Sequence, residues 1–332
     1  MPLMRGRPGI LIIHSGGIGD LLLALPAMRV FRRSFSLFPL EMMGRPERLS
    51  LVAHDLKARA LHSIDQAGMA FFYAPEAQLP PRLVQFFSAF RAVLVFGKAG
   101  GEILGENLER AGVPRILRVP SFPPEKMKVH VSHFLVEALK GAGIEGEDSF
   151  QPLTLPEDSR RFAADFLARH GVGEGEPILA IHPGSGSPRK NWPLENFARV
   201  LAWARERARI LLIAGPAEAG TREALEAWRK GGTLLADHLP LLSLAALLQK
   251  CRAYLGNDSG ITHLAASLAV PTVALFGPTD PAVWGPLSPA VRVLRGNPAA
   301  DFGPAPASSP GPRGGVNIVV EEVLPILGAL IG

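Results

Sequence analysis

Four stretches of the chain carry residues whose types and spacing could do chemistry. The first, "HSGGIGD" (residues 14–20), is a glycine-rich loop between an apolar strand and an apolar helix. Such loops usually hold phosphate on the N–H groups of the following helix. This one closes on a carboxylate, Asp20, which would repel a phosphate. It also departs from the dinucleotide fingerprint G-x-G-x-x-G: after Gly17 and Gly19 the third position is Leu22. The acid that would hold a ribose about 20 residues on falls near Glu41. Two roles stay open for Asp20. A carboxylate in the first turn caps the helix and is stabilised by its dipole. Held ionised, it can also take a proton from an incoming hydroxyl. Gly16, Gly17 and Gly19 would let the backbone approach that acceptor closely.

The second stretch, "GNDSGITHLAAS" (residues 256–267), joins a strand to a helix. Ser259, Gly260 and Ile261 would present free N–H groups there, with a hydroxyl beside them, which suits a diphosphate; His263, one turn into the helix, could reach a phosphate or hydrogen-bond the loop. The plain alternative is a cap by Asp258 or Ser259. The third, "HPGSGSPRKNWP" (residues 182–193), is a Gly/Ser/Pro loop after another strand, carrying Ser185, Arg189 and Lys190. Cations there can neutralise a leaving phosphate, or be simple surface charges. The fourth, "AGPAEAGTREAL" (residues 214–225), places Glu218 after a strand, where an acid can accept from ribose hydroxyls. A first-turn helix acid is the alternative reading.

Other chemistries lack their residues. His130 and His133 are three apart with no third ligand in view, so no metal is expected. No D-x-D pair, Walker loop or G-x-S-x-G elbow occurs. No bound cofactor is implied. The single cysteine, Cys251, rules out an internal disulfide and is expected in the core.

The elements that must position these residues alternate between short apolar strands and amphipathic helices, the pattern of α/β layers. In the first half, strands are expected at Ile10–His14, Leu40–Met43, Ala92–Phe96 and Arg115–Arg118, and helices at Asp20–Arg33, Glu102–Ala111 and Val129–Lys140. Residues 56–83 fit neither pattern, and Pro75, Pro80 and Pro81 mark loops there. The second half reads as a helix over Asp158–His170, then strand–helix units through "PTVALFG". It ends in a Pro/Gly/Ser loop (residues 299–315) and a terminal strand and helix. Strands this apolar on both faces belong in parallel sheets covered by helices. Two doubly wound domains in tandem are expected, residues 1–152 and 153–332, with the terminal helix able to return to the first. Ligands would then lie beyond the carboxyl ends of the strands.

The chain has 332 residues, 47% of them hydrophobic, and a formal net charge of +5. That length carries two ordinary domains. A basic balance suits an anionic partner, but nothing resembles a nucleic-acid-binding motif. No apolar run reaches transmembrane length, and the amino terminus is too weakly apolar for a signal peptide. A cytoplasmic protein is expected. Arg29, Arg32 and Arg33 fall on one face of the first helix beside Phe31 and Phe35, which would suit peripheral contact with an anionic inner membrane face.

Four segments together resemble the family 9 glycosyltransferases, the ADP-heptose:lipopolysaccharide heptosyltransferases: "GGIGDLLLALPAMRVFRR", "IHPGSGSPRKNWPLENFARV", "AGPAE" and "GNDSGITHLAASLAVPTVALFGPTDPAVWGP". They run in the family's order over nearly the whole length. The resemblance implies a GT-B fold, two Rossmann-like domains facing a central cleft. The acceptor, a saccharide or glycolipid, would lie on the first domain and the nucleotide-sugar donor on the second. It implies inverting, metal-independent transfer, with Asp20 aligned to the catalytic base. Lys190 aligns with the cation near sugar and diphosphate. Ser259, Gly260 and Thr262 fall in the phosphate turn, with Asp258 and His263 beside it. Glu218 matches the ribose-binding acid and Leu242 the adenine-contacting stretch; Ser185 is placed with the donor-binding residues. A GT-B-like nucleotide-sugar epimerase or hydrolase, or a non-catalytic nucleotide-sugar binder, are the alternatives.

Overall fold

The computed structural model describes residues 8–97, 101–147, 149–215, 222–229, 232–296 and 316–332. The chain divides into two compact units, Met1–Phe150 and Gln151–Gly332.

In chain order the first unit runs β1 (Gly9–His14), α1 (Ile18–Ser34), β2 (Leu40–Gly44), α2 (Pro46–Ala53), β3 (Ala58–Ser63), a 3₁₀ turn (Met69–Tyr73), α3 (Pro81–Phe87), β4 (Phe90–Gly97), α4 (Gly101–Arg110), β5 (Ile116–Pro120) and α5 (Val131–Gly141). The strands form one parallel sheet, ordered β3-β2-β1-β4-β5. Every residue of β1 is buried, as its "GILIIH" requires of a central strand covered on both faces. α1 buries a continuous run from Leu21 to Phe31 and packs on α2 and α5.

The second unit runs α6 (Glu157–Arg169), β6 (Ile178–His182), α7 (Leu194–Ala204), β7 (Arg209–Ala214), α8 (Arg222–Trp228), β8 (Leu234–Asp237), α9 (Leu241–Leu248), β9 (Ala253–Asn257), α10 (Gly260–Ser267), β10 (Thr272–Phe276), α11 (Pro281–Trp284), β11 (Val291–Arg295) and α12 (Val320–Ile331). Its sheet is also parallel, ordered β11-β10-β9-β6-β7-β8. Counted within the unit this is the doubly wound Rossmann order, and the first unit shares its arrangement for five strands. In such sheets the winding reverses beside the first strand, and the crevice for a ligand opens there. Here those points lie between β1 and β4 and between β6 and β9.

Two expectations need correction. Residues 56–83 hold regular structure: β3 pairs with β2, and Met69, Phe72 and Leu83 enter the first unit's core. Pro75 and Pro80 lie in the loop before α3, as expected, and Pro81 opens that helix. The expected terminal strand is irregular over 316–319, although Val316 and Ile318 are buried, while β11 forms the edge instead. α12 packs within the second unit: Val320, Val323, Leu327 and Ile331 join its core beside α7, β9 and β10.

Two of the three arginines of α1 are engaged within the fold. Arg29 is buried and forms a two-point ion pair with Asp55, at 2.8 and 2.9 Å. Arg32 donates to the carbonyls of Leu56 and Phe35. Of the three arginines Arg33 alone is exposed.

Candidate functional site

In the first unit the winding reverses at the end of β1. His14 is the last residue of that strand and is buried; its ring meets Phe96 of β4 edge-on at 5.6 Å. The chain then turns through Ser15–Gly17 into α1, so Gly19 sits in the helix's first turn and not in the loop. Asp20 is the third helical residue. Its Oδ2 accepts from the Gly17 N–H at 2.8 Å, the reciprocal half of a capping box. Asp20 is therefore a helix cap, and a half-buried one. Capping occupies part of the carboxylate only, so the geometry leaves the proton-accepting role available.

The neighbours of Asp20 set the local field. Burial drives the His14 pKa down to about 4; the nearby Asp20 carboxylate opposes that shift and Arg48 adds to it. His14 is thus neutral at pH 7. Arg48, from α2, donates to the Gly16 carbonyl at 2.8 Å. Gly16 is packed between the two titratable groups: a Cβ there would lie 2.9 Å from both Asp20 Cβ and His14 Cε1.

In the second unit the corresponding point is the end of β6 and β9. Ser259 is the N-cap of α10, and its Oγ accepts from the Thr262 N–H at 3.3 Å. The N–H groups of Gly260 and Ile261 have no acceptor in the helical ladder. Thr262 is fully buried, and its hydroxyl meets Tyr254 OH at 3.0 Å, Ser259 Oγ at 3.2 Å and the Asn257 carbonyl. Its side chain therefore builds the turn from below. His182, closing β6, approaches Ser259 Oγ at 3.3 Å. His263 is buried in the first turn.

Lys190 sits on a short 3₁₀ turn, Pro188–Lys190, and its Nζ contacts Asp258 Oδ2 at 2.7 Å. Asp258 is buried just before the Ser259 cap, so the pair sets an ammonium beside the helix start. The loop bearing Lys190 is tied down at both ends by one buried residue. Asn257 Oδ1 accepts from the Trp192 N–H at 2.9 Å, and its Nδ2 donates to the Pro183 carbonyl at 2.6 Å. Ser185 is buried inside this loop, 2.7 Å from both the Ser187 carbonyl and Asn191 Oδ1. Trp192 anchors the far side, its indole N–H donating to the Ile318 carbonyl.

The second unit thus brings Ser185, Lys190, Asp258, Ser259, Gly260, Thr262 and His263 to one strand-end region. Leu242 stands half-buried in the first turn of α9, after β8. Glu218 lies outside the described residues. His130 caps α5, its Nδ1 accepting from the Ser132 N–H. Cys251 is buried, its thiol pushed well up by burial. Clefts of about 310 and 750 Å³ open at the other end of the second sheet, beside Pro177 and Ile178. Of the candidate residues read from the sequence, only Cys251 lines either cleft.

Four participants carried little or no signal in the sequence. His14 and His182 each close an apolar strand, "ILIIH" and "ILAIH", and a polar residue ending a central strand is the clue. Asn257 ends β9 in the same way. Arg48 gives no clue at all, being 32 residues from the carbonyl it holds.

With this geometry in view, the chain matches the family model described as Glycosyltransferase family 9 (heptosyltransferase) over residues 90–303. Lipopolysaccharide heptosyltransferase 2 of Salmonella typhimurium is 30% identical over 172 residues, 47% of this chain and 47% of that protein. The chain's match thus spans about half the length of such relatives. Among solved structures, a family 9 glycosyl transferase from Veillonella parvula superposes with a TM-score of 0.77 at 19% identity, over 99% of this chain and 98% of that one. E. coli ADP-heptose lps heptosyltransferase II gives 0.74 at 17%, over 97% and 98%. The fold is the GT-B type that the resemblance implied, built from two Rossmann-like units.

Proposed function

The chain belongs to glycosyltransferase family 9, and from that premise we propose that it is an inverting, metal-independent glycosyltransferase. It moves a heptose or similar sugar from an ADP-sugar to a hydroxyl of a saccharide or glycolipid acceptor. The observation that carries this reading is the contrast between the two reversal points. One offers a carboxylate on a capped helix start. The other offers an ammonium and free helix N–H groups.

The first suits a hydroxyl and the second a diphosphate. Asp20 takes the proton of the acceptor hydroxyl as its oxygen bonds to the anomeric carbon. The bond from that carbon to the diphosphate oxygen breaks with its electron pair. The negative charge that develops on departing ADP is met by Lys190 Nζ and the N–H groups of Gly260 and Ile261, which are fixed before the reaction starts. Asp258 holds Lys190 in place. No step draws on a metal. The relatives whose names specify ADP-heptose and lipopolysaccharide support the donor and acceptor chosen here.

The test is turnover of ADP-heptose with heptose-free lipopolysaccharide core, in excess EDTA, for the parent and Asp20→Asn. The variant keeps the shape and a capping oxygen but takes no proton. We expect turnover to fall by about 10²–10⁴-fold with ADP-heptose affinity unchanged. Near-parental turnover would reduce Asp20 to its capping role. Lost donor binding would make it structural.

A further inference from the structure

We propose that Arg48 is a positioning residue for the Asp20 carboxylate: it fixes the Gly16 carbonyl, and through it the turn whose Gly17 N–H orients that carboxylate. The proposal rests on the role of Asp20 given above. Four observations carry it.

Among the described residues the Arg48 guanidinium is the sole hydrogen-bond donor to the Gly16 carbonyl, at 2.8 Å. Gly16 has no side chain to anchor it, so its position in the turn depends on that bond. Next, Gly16 touches the group being positioned: its Cα faces Asp20 so closely that a Cβ would fall 2.9 Å from Asp20 Cβ and 3.0 Å from Oδ2. A shift of the glycine is therefore a shift of the carboxylate. The following residue, Gly17, is the only donor to Asp20 among the described residues, so the carboxylate and the turn move as one.

The third observation concerns the support behind Arg48. α2 is held by its own apolar face, Leu49, Leu51 and Val52, all essentially buried. It starts from Pro46, two residues after Gly44, where a Cβ would fall 2.0 Å from the His14 carbonyl. The ends of β1 and β2, which lead into the helices bearing Asp20 and Arg48, are thus pressed together. The helix does not need Arg48 to fold, and Arg48 needs the helix to stand still.

Fourth, the charge is placed to favour a neutral neighbour. Arg48 acts on His14 in the same direction as burial does. The Asp20 carboxylate then faces an uncharged imidazole and has one hydrogen bond, from a backbone amide. Among the described residues no cation forms a direct bond with Asp20 that would hold its lone pairs away from a proton. An arginine held to a backbone carbonyl serves this purpose better than one paired with the base itself.

Arg48→Ala and Arg48→Lys test the proposal with two readouts. The first needs no substrate: hydrogen exchange of the Gly17 amide, followed in glycine-selective ¹⁵N spectra. We expect the amide to exchange at least ~10-fold faster in Arg48→Ala, while exchange of β1 amides stays parental, because the tether lost is local. The second is transfer kinetics. A misplacement of about 1 Å costs about 10²-fold in rate, so kcat should fall about 10–100-fold, with the donor KM unchanged and partial rescue by millimolar guanidinium. Arg48→Lys keeps a donor and should lose less on both counts. If Arg48→Ala does not fold, Arg48→Lys carries both measurements. Unchanged Gly17 exchange overturns the proposal, even with lowered kcat, since Arg48 would then act on substrate. A parent without transferase activity would sink the proposed function and leave the exchange result to judge the positioning.

Discussion

At the scale of single residues, the glycines before α1 are not equivalent, although the sequence presents them as a run. Gly16 lies against both His14 and Asp20, where a Cβ would intrude to 2.9 Å. Gly17 leaves room: its Cβ would stand 3.4 Å from Asp20 Oδ2, an ordinary contact, and its φ of −67° suits any L-residue. Gly16→Ala should therefore displace the carboxylate and lower turnover about 10-fold or more, since a displacement near 1 Å already costs about 10²-fold. Gly17→Ala should stay within a few-fold of the parent. Steady-state kinetics on the two variants decides this, and equal losses would show that the loop needs glycine for some reason other than Asp20. Sequence spacing could identify the loop but could not rank its members, because the ranking depends on which side chains press on each Cα.

At the scale of elements, the two reversal points were legible because strand-ending loops rich in glycine and polar residues mark them. What holds the loops still was not. Asn257 reads in sequence as one more residue of "YLGND"; in the fold it closes β9 and spans both ends of the Lys190 loop. It is fully buried, so its removal leaves the Trp192 N–H and the Pro183 carbonyl without their partner. Each such orphan costs about 1–3 kcal/mol. Asn257→Ala should lower stability by about 2–6 kcal/mol by that reckoning, and it should weaken ADP binding through the freed Lys190 loop. Urea unfolding and calorimetric titration measure the two effects. Loss of stability with unaltered ADP affinity would separate the loop from the donor site. The region from β3 to α3 was illegible for a different reason. Its strand is only partly buried, so the alternation that marks a half-exposed strand was weak in "ARALHS". Its prolines mark the loop before α3 correctly, but Pro81 also opens that helix, which the loop reading hid.

At the scale of the whole molecule, each unit closes its own core, and acid should strain them unequally. His14 in the first unit is held neutral, its pKa lowered from 6.5 to about 4. The unfolded chain therefore binds a proton between these values that the folded chain refuses. The sign follows: stability is unaffected above pH 6.5, and it falls as the pH drops from there toward 4. Glu41, also in the first unit, adds to the loss lower down. Burial pushes its pKa up, but hydrogen bonds from His62 and Arg59 outweigh that, so its contribution is present above pH 4.5 and lost as acid overtakes it. The carboxylates held low in the second unit, Glu157, Glu176, Asp237 and Glu321, sit at the surface, where paired charges contribute little. All four tryptophans, Trp192, Trp203, Trp228 and Trp284, belong to the second unit, so their fluorescence reports that unit while far-ultraviolet circular dichroism reports both. Between pH 7 and pH 5 the urea midpoint seen by dichroism should fall, the fluorescence midpoint should fall less, and His14→Gln should narrow the gap between them. Midpoints that move together in the parent would mean that the two units unfold as one, and an unaltered gap in His14→Gln would remove His14 as its cause.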